Sequence, residues 1–139
     1  MKFPTQTEVK KPPEAVFDAM ADARNETHWN SKVTKSEMIG DGPIGQGSKF
    51  TTVNRGKPYP SVISAYDRPN LLVFEVTGPQ MDITTTFRFR AVGDGTAVDS
   101  EFDFRPKKFT KVIFPMMKPL IRKDLATQTQ SFAGFCETA

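Results

Sequence analysis

Few side chains in this sequence can do chemistry at neutral pH, and they are scattered. His28 is the only histidine, and so the only group whose ordinary pKa lies near neutrality. It stands beside Trp29 with no second histidine and no nearby cysteine, so a three-ligand zinc site lacks donors and no metal is expected. A surface residue at a helix end is the plainer reading. Cys136 is the only cysteine, which excludes an internal disulfide and any multi-cysteine metal site. It reads as a small apolar residue on a terminal helix. A Ser-His-Asp relay has its residue types present, but no Gly-x-Ser-x-Gly elbow exposes a nucleophile. Asp124 is the least expected residue, set among apolar and basic neighbours. Facing an apolar interior it would be desolvated and able to act as acid or base; rotated outward it would pair with a nearby lysine, the reading preferred here.

Phosphate and nucleic-acid chemistry find little support. The glycine-rich "GDGPIGQG" precedes a strand pattern, so the helix N-terminus that a phosphate loop needs is missing. Six basic residues, Lys107, Lys108, Lys111, Lys118, Arg122 and Lys123, share one window without an acid. That window has no interleaved Tyr or Trp and matches no RRM, KH or zinc-finger signature, so no nucleic-acid partner is expected. Basic residues opposite Phe, Ile and Met are also the pattern of an interfacial membrane helix. The same stripe, however, is needed to cover a sheet, and stable membrane insertion is not expected. No apolar run approaches the roughly 18 residues of a membrane span, and the amino terminus lacks the apolar core of a signal peptide. The expectation is a soluble cytoplasmic protein without a cofactor. Twelve Phe against two Tyr and one Trp bring bulk without a hydrogen-bonding handle, which suits a core or an apolar cavity.

The elements that must position these residues follow from periodicity. A chain of 139 residues fits one domain, 1–139, able to bury roughly 68% of its unfolded surface. Phe3, Thr5, Thr7 and Val9 share one face of a strand over Phe3 to Lys10. "KKPPEAVFDAMADAR" then opens a helix at Pro13 and Glu14 and aligns Val16, Phe17 and Met20. "NETHWN" predicts a second helical turn with Asn25 as N-cap. Strands follow over Lys32 to Met38, Gly47 to Asn54, Tyr59 to Tyr66 and Leu71 to Thr77, with "RGKPYP" and "DRPN" as turns. "MDITTTFRFRAV" and "TAVDSEFDFRP" flank "GDG", a strong hairpin signal. Its inner face is expected to carry Met81, Ile83, Thr85, Phe87, Phe89, Ala91, Val98, Ser100, Phe102 and Phe104; its outer face Asp82, Arg88, Arg90, Asp99, Glu101 and Asp103. Lys108 to Glu137 predicts a long helix interrupted by Pro115 and Pro119, either kinked there or starting only at Pro119. Its apolar stripe is Phe109, Ile113, Met116, Met117 and Leu120, shifting after Pro119 to Ile121, Leu125, Phe132 and Cys136.

In this order the motifs resemble a known family. "VKKPPEAVFDAMADARNETHWNSKV" is similar to the opening of the SRPBCC superfamily (START-like), in particular its polyketide cyclase/dehydrase and lipid-transport branch, with Pro13, Glu14, Val16, Phe17 and Trp29 in the matching places. "GSKF", "VISAYDRPNLLVF" and "TTTFRFRAVGDGTAVDSEFDF" look like that family's third strand, its strand-turn-strand unit and its closing hairpin. The resemblance implies an α+β helix-grip fold, about seven antiparallel strands curved around a long carboxy-terminal helix. A hydrophobic cavity between them would bind a lipid, polyketide or other apolar molecule. The fold hosts carriers, cyclases, hydrolases and receptors, so one chemistry does not follow.

On that premise the expected partner is a small hydrophobic molecule. The expected ligand-binding residues are Trp29, Phe50, Tyr66, Phe74, Thr85, Phe87, Ser100, Phe102, Met116, Met117, Leu120 and Asp124. The Met-rich stretch between the prolines is expected to be a mobile gate. The rival is a cyclase or dehydrase whose polar cavity groups, such as Tyr66, Ser100 or Asp124, move protons. A protein-docking module is a third class, marked by an exposed apolar patch.

Overall fold

Among the residues described, 1–138, the computed structural model forms seven strands, three α-helices and a 3-10 turn. Strand β1 (Lys2–Val9) leads through α1 (Pro13–Ala21), the 3-10 turn Ala23–Asn25 and α2 (Glu26–Trp29) to β2 (Val33–Ile39). Then come β3 (Lys49–Asn54), β4 (Lys57–Asp67), β5 (Leu71–Thr77), β6 (Met81–Val92), β7 (Gly95–Pro106) and α3 (Thr110–Thr138). All pairings are antiparallel in one sheet of order β1-β7-β6-β5-β4-β3-β2. This is the α+β helix-grip arrangement. The first strand closes the meander by pairing with the last, and α1 and α2 carry the chain from one sheet edge to the other. Register shifts at Val33/Lys35 and Ile63/Ala65 are the kind of bulge that bends a strand.

Local chemistry explains most boundaries. The hairpin β6-β7 turns through Gly93-Asp94, with Val92 opposite Gly95 and φ 58° at Gly93, a positive φ that a tight hairpin turn demands. Its outer face is wet, and Arg90 meets Asp99 at 3.1 Å. The turn expected over "RGKPYP" is only Arg55-Gly56, both at positive φ, and β4 resumes at Lys57. Pro58 and Pro60 are tolerated in that strand because β5 pairs with it only from Ser61 onward, leaving an open side where a missing N–H costs little. Asn25 does occupy the N-cap position of α2 but makes no capping bond. The preceding 3-10 turn holds it in a helical conformation, and its side chain donates to the Ala19 carbonyl instead, at 3.0 Å. Asp22 caps that turn, accepting from the Arg24 amide.

The largest difference from the sequence reading is the rotation of α3. The helix runs unbroken through Pro115 and Pro119, so it does not start at Pro119. Both prolines are exposed, so the carbonyls of Lys111 and Pro115, which they leave unpaired, face the wet side where water can serve them. The residues turned inward are Thr110, Phe114, Leu125, Phe132 and Cys136. Phe114 is 1% exposed and sits against Phe3 and Phe104, with ring centroids 6.2 and 6.0 Å away. The stripe that begins at Phe109 faces solvent instead. One buried stripe therefore runs the length of the helix, without the shift that two stripes would require. Burial also pushes the Cys136 thiol up to about 11, so it packs and does not react.

The apolar interior divides in two. A larger cluster joins α1, the middle of the sheet and the end of α3, through Phe17, Phe50, Phe87, Phe89 and Phe132. A smaller one gathers Phe3, Phe104, Phe114 and Leu125. Phe102 packs against both.

Candidate functional site

A cavity of about 270 Å³ is lined by members of both clusters. Strand periodicity builds its floor: Phe74 and Val76 on β5, Met81, Ile83, Thr85 and Phe87 on β6, Phe102 and Phe104 on β7. Alternate residues of β3 and β4, namely Thr52, Asn54, Tyr59 and Ser61, continue it. The wall from α3 is Met117, Ile121, Asp124, Leu125 and Gln128, successive turns of one helix face. Met20, Ala23, Glu26 and Trp29 close the end. A second cavity of about 30 Å³, room for one water, lies alongside between Thr7, Ser100, Thr129 and Phe132.

The polar groups are few and local. Glu26 stands at the cavity wall, where burial pushes its carboxyl up to about 6; the amide of Asn30, donating to Oε2 at 3.1 Å, opposes that shift. Asn30 is itself buried and fixed, its Oδ1 accepting from the Lys32 amide. One helical turn on from Glu26, Trp29 meets Phe132 edge-on at 5.4 Å, and its buried Nε1–H has no acceptor among the described residues. A buried donor without a partner costs about 1–3 kcal/mol, so this N–H is the natural handle for a ligand oxygen. Asp124 realises both sequence alternatives. It lines the cavity, yet its carboxylate is ion-paired with Lys32 and accepts from Gln128 Nε2 at 2.9 Å. Its side chain keeps 30% exposure, so it marks the rim and not a dry interior.

The structure brings Trp29, Phe74, Thr85, Phe87, Phe102, Met117 and Asp124 together around the main cavity. Ser100 lies at the smaller one. Phe50 is core, 1% exposed, and Tyr66 packs edge-on against Phe17 at 5.1 Å; neither is among the cavity walls. Met116 and Leu120 point to solvent, at 80% and 69% exposure. His28 stacks on Phe135 with ring centroids 5.5 Å apart, outside the cavity. Among the described residues no cluster of His, Cys, Asp and Glu could hold a metal ion, and no helix is long and apolar enough to cross a membrane.

Glu26 and Gln128 escaped the sequence reading, and Ile121 was placed on the apolar stripe without being assigned to the site, although a signal for them existed. Glu26 is three residues before Trp29, hence on the same helical face. Ile121 and Gln128 follow Met117 and Asp124 at four-residue steps, whereas Met116 and Leu120 stand one residue, about 100°, round the helix.

Comparison with known proteins agrees with this geometry. The model of a family described as polyketide cyclase / dehydrase and lipid transport matches residues 1–134. No curated protein sequence matches the chain. Among solved structures, a START superfamily protein from Mycobacterium smegmatis is 17% identical with a TM-score of 0.82, covering 99% of this chain and 97% of its own. The Zhui aromatase/cyclase from a Streptomyces species is 14% identical with a TM-score of 0.79, covering 99% and 93%. A protein from Thermus thermophilus is 15% identical with a TM-score of 0.78, covering 98% and 97%. At these identities the likeness speaks for the fold alone.

Proposed function

The chain belongs to the polyketide cyclase / dehydrase and lipid transport family, and from that premise we propose that it binds one small, mostly apolar molecule between sheet and α3. The observation that carries this reading is the cavity itself, apolar over most of its lining, with a free indole N–H and a carboxyl that titrates near neutrality at one end. Such a site suits a ligand with a greasy body and a single hydroxyl or carbonyl end, the hydroxyl donating to Glu26 or the oxygen accepting from Trp29. Ligand sites commonly hold roughly 300–1,000 Å³, and at about 270 Å³ this one favours a compact ring system or short chain.

Trp29 is the only tryptophan, so its emission reports on the cavity directly. Titration with 1-naphthol is expected to shift that emission saturably, and native mass spectrometry after incubation with a lipid extract is expected to show a bound small molecule. Thr85→Phe, which puts a ring into the cavity floor, is expected to weaken naphthol binding at least about tenfold while the far-ultraviolet circular dichroism stays unchanged. Absence of both the emission change and a bound molecule would overturn the reading.

A cyclase or dehydrase is the second reading, favoured by one observation. A carboxyl near pH 6 is well matched to proton transfer at neutrality, and Glu26 has one inside the cavity. If the protein turns over a poly-β-ketone substrate, Glu26→Gln is expected to lower kcat by about 10²–10⁴. Full turnover in that variant would remove Glu26 from the role.

A further inference from the structure

The first half of α3 turns apolar side chains toward water. Phe109, just before the helix, is 86% exposed, Val112 76%, Met116 80%, Leu120 69% and Ile113 50%. At 100° per residue these positions fall within an arc of about 100°, a continuous stripe and not scattered singles. A contiguous apolar surface of this kind marks a place of interaction. Nothing in the described residues covers it, because the buried face of the helix is the one bearing Phe114 and Leu125.

What surrounds the stripe selects the partner. No acidic residue occurs between Asp103 and Asp124. Lys107 is held by Asp82 at 2.9 Å. Lys108, Lys111, Lys118, Arg122 and Lys123 make no ion pair among the described residues, although Arg122 lies over the Phe3 ring at 5.7 Å. We propose that this face docks reversibly on an anionic lipid bilayer, with Phe109, Ile113, Met116 and Leu120 in the acyl boundary and the lysines among the headgroups. Lys123 falls within the arc of the stripe and Lys108 just before it, while Lys111, Lys118 and Arg122 lie farther round the helix; an apolar stripe edged by unpaired cations is complementary to both layers of that surface. A second copy of the chain on the same patch would bring like charges face to face, which opposes association. A nucleic acid would leave the apolar stripe against phosphate.

The docking face also adjoins the cavity. Met116 and Leu120 are the immediate chain neighbours of Met117 and of Ile121, which line it. Docked there, the protein would hold the α3 wall of its cavity next to the bilayer from which an apolar ligand is drawn. This last step rests on the binding role proposed above; the docking does not.

The test is sedimentation of the full chain with vesicles of phosphatidylcholine alone or mixed with phosphatidylglycerol. Binding is expected only to the mixed vesicles and is expected to fall as salt rises. Lys108→Gln and Lys123→Gln are each expected to lower partitioning about fivefold, and Ile113→Ser with Met116→Ser at least about tenfold. Naphthol-induced Trp29 emission should be unchanged in all four substitutions, so loss of docking and loss of ligand binding are read separately. No binding to the mixed vesicles, or equal binding by wild type and the serine variant, would overturn the proposal even with naphthol binding intact. A dimer in gel filtration that the serine substitutions convert to monomer would overturn it in favour of self-association.

Discussion

Phe114→Ala is expected to lower stability by about 3–5 kcal/mol, whereas Phe109→Ala, five positions earlier, should change it by no more than about 0.5 kcal/mol. The two residues are the same type in one short segment and differ in which way they are turned, Phe114 inward on α3 and Phe109 outward just before it. Phe114 is 1% exposed and wedged between Phe3 and Phe104; Phe109 is 86% exposed. Truncating Phe114 leaves a ring-sized hole in the smaller cluster, whose other walls are Leu125 and the sheet, and aromatic neighbours fixed on strands cannot collapse into it. Urea denaturation with an unchanged m-value reads both variants. Equal losses, or a larger loss at Phe109, would mean that the helix is rotated so that the other stripe faces the sheet, and the cavity wall and the docking face would both be misassigned.

Glu26→Gln is expected to stabilise the protein at pH 7 by about 2 kcal/mol and to leave it unchanged at pH 4. The carboxyl is pushed up to about 6 in the fold from an ordinary value of 4.5, chiefly by burial. The folded protein therefore holds this proton more tightly than the unfolded chain does. Its contribution is most favourable below pH 4.5, declines as pH rises through 6, and above that the buried charge costs about 2 kcal/mol. Glutamine keeps an acceptor for the Asn30 amide but removes the charge, so the pH dependence between 4.5 and 6 should flatten as well. Midpoints of denaturation for both proteins across that interval measure the effect. An equal difference at pH 4 and pH 7 would mean that Glu26 is solvated and that the cavity end is wetter than its lining implies. Stability gained by removing a carboxylate is what a functional group held at a cost would show.

Seven antiparallel strands and the helix that follows them were readable because their signals are local. Two-residue alternation in "MDITTTFRFRAV" and "TAVDSEFDFRP" fixes which side chains face inward whatever the rest of the chain does, and the structure buries Thr85, Phe87, Phe89, Val98, Ser100 and Phe104 accordingly. The first strand was legible in the same way through Phe3 and Val9, and α1 through Pro13, Val16, Phe17 and Met20. The turn over "RGKPYP" was misread for a different reason: the prolines of β4 are harmless because β5 ends before it could pair with them, which the neighbouring sequence does not display.

The orientation of α3 was of another kind. Its sequence offers apolar residues over more than half of its circumference, so periodicity permits two buried faces, and the stripe from Phe109 is richer in large side chains than the one from Phe114. Only the shape of the sheet decides between them: Phe3 and Phe104 form a slot that accepts one aromatic ring, and Leu125, Phe132 and Cys136 continue that line toward the larger cluster. The same is true of Glu26, whose carboxyl is ordinary in a peptide and shifts when the surrounding fold takes its water away, against the opposing hydrogen bond from Asn30. Pattern and turn chemistry belong to neighbours along the chain, which a sequence displays. Which of two faces is buried, and how far a charge is desolvated, depend on surfaces brought together from distant segments, and those exist only once the chain has folded.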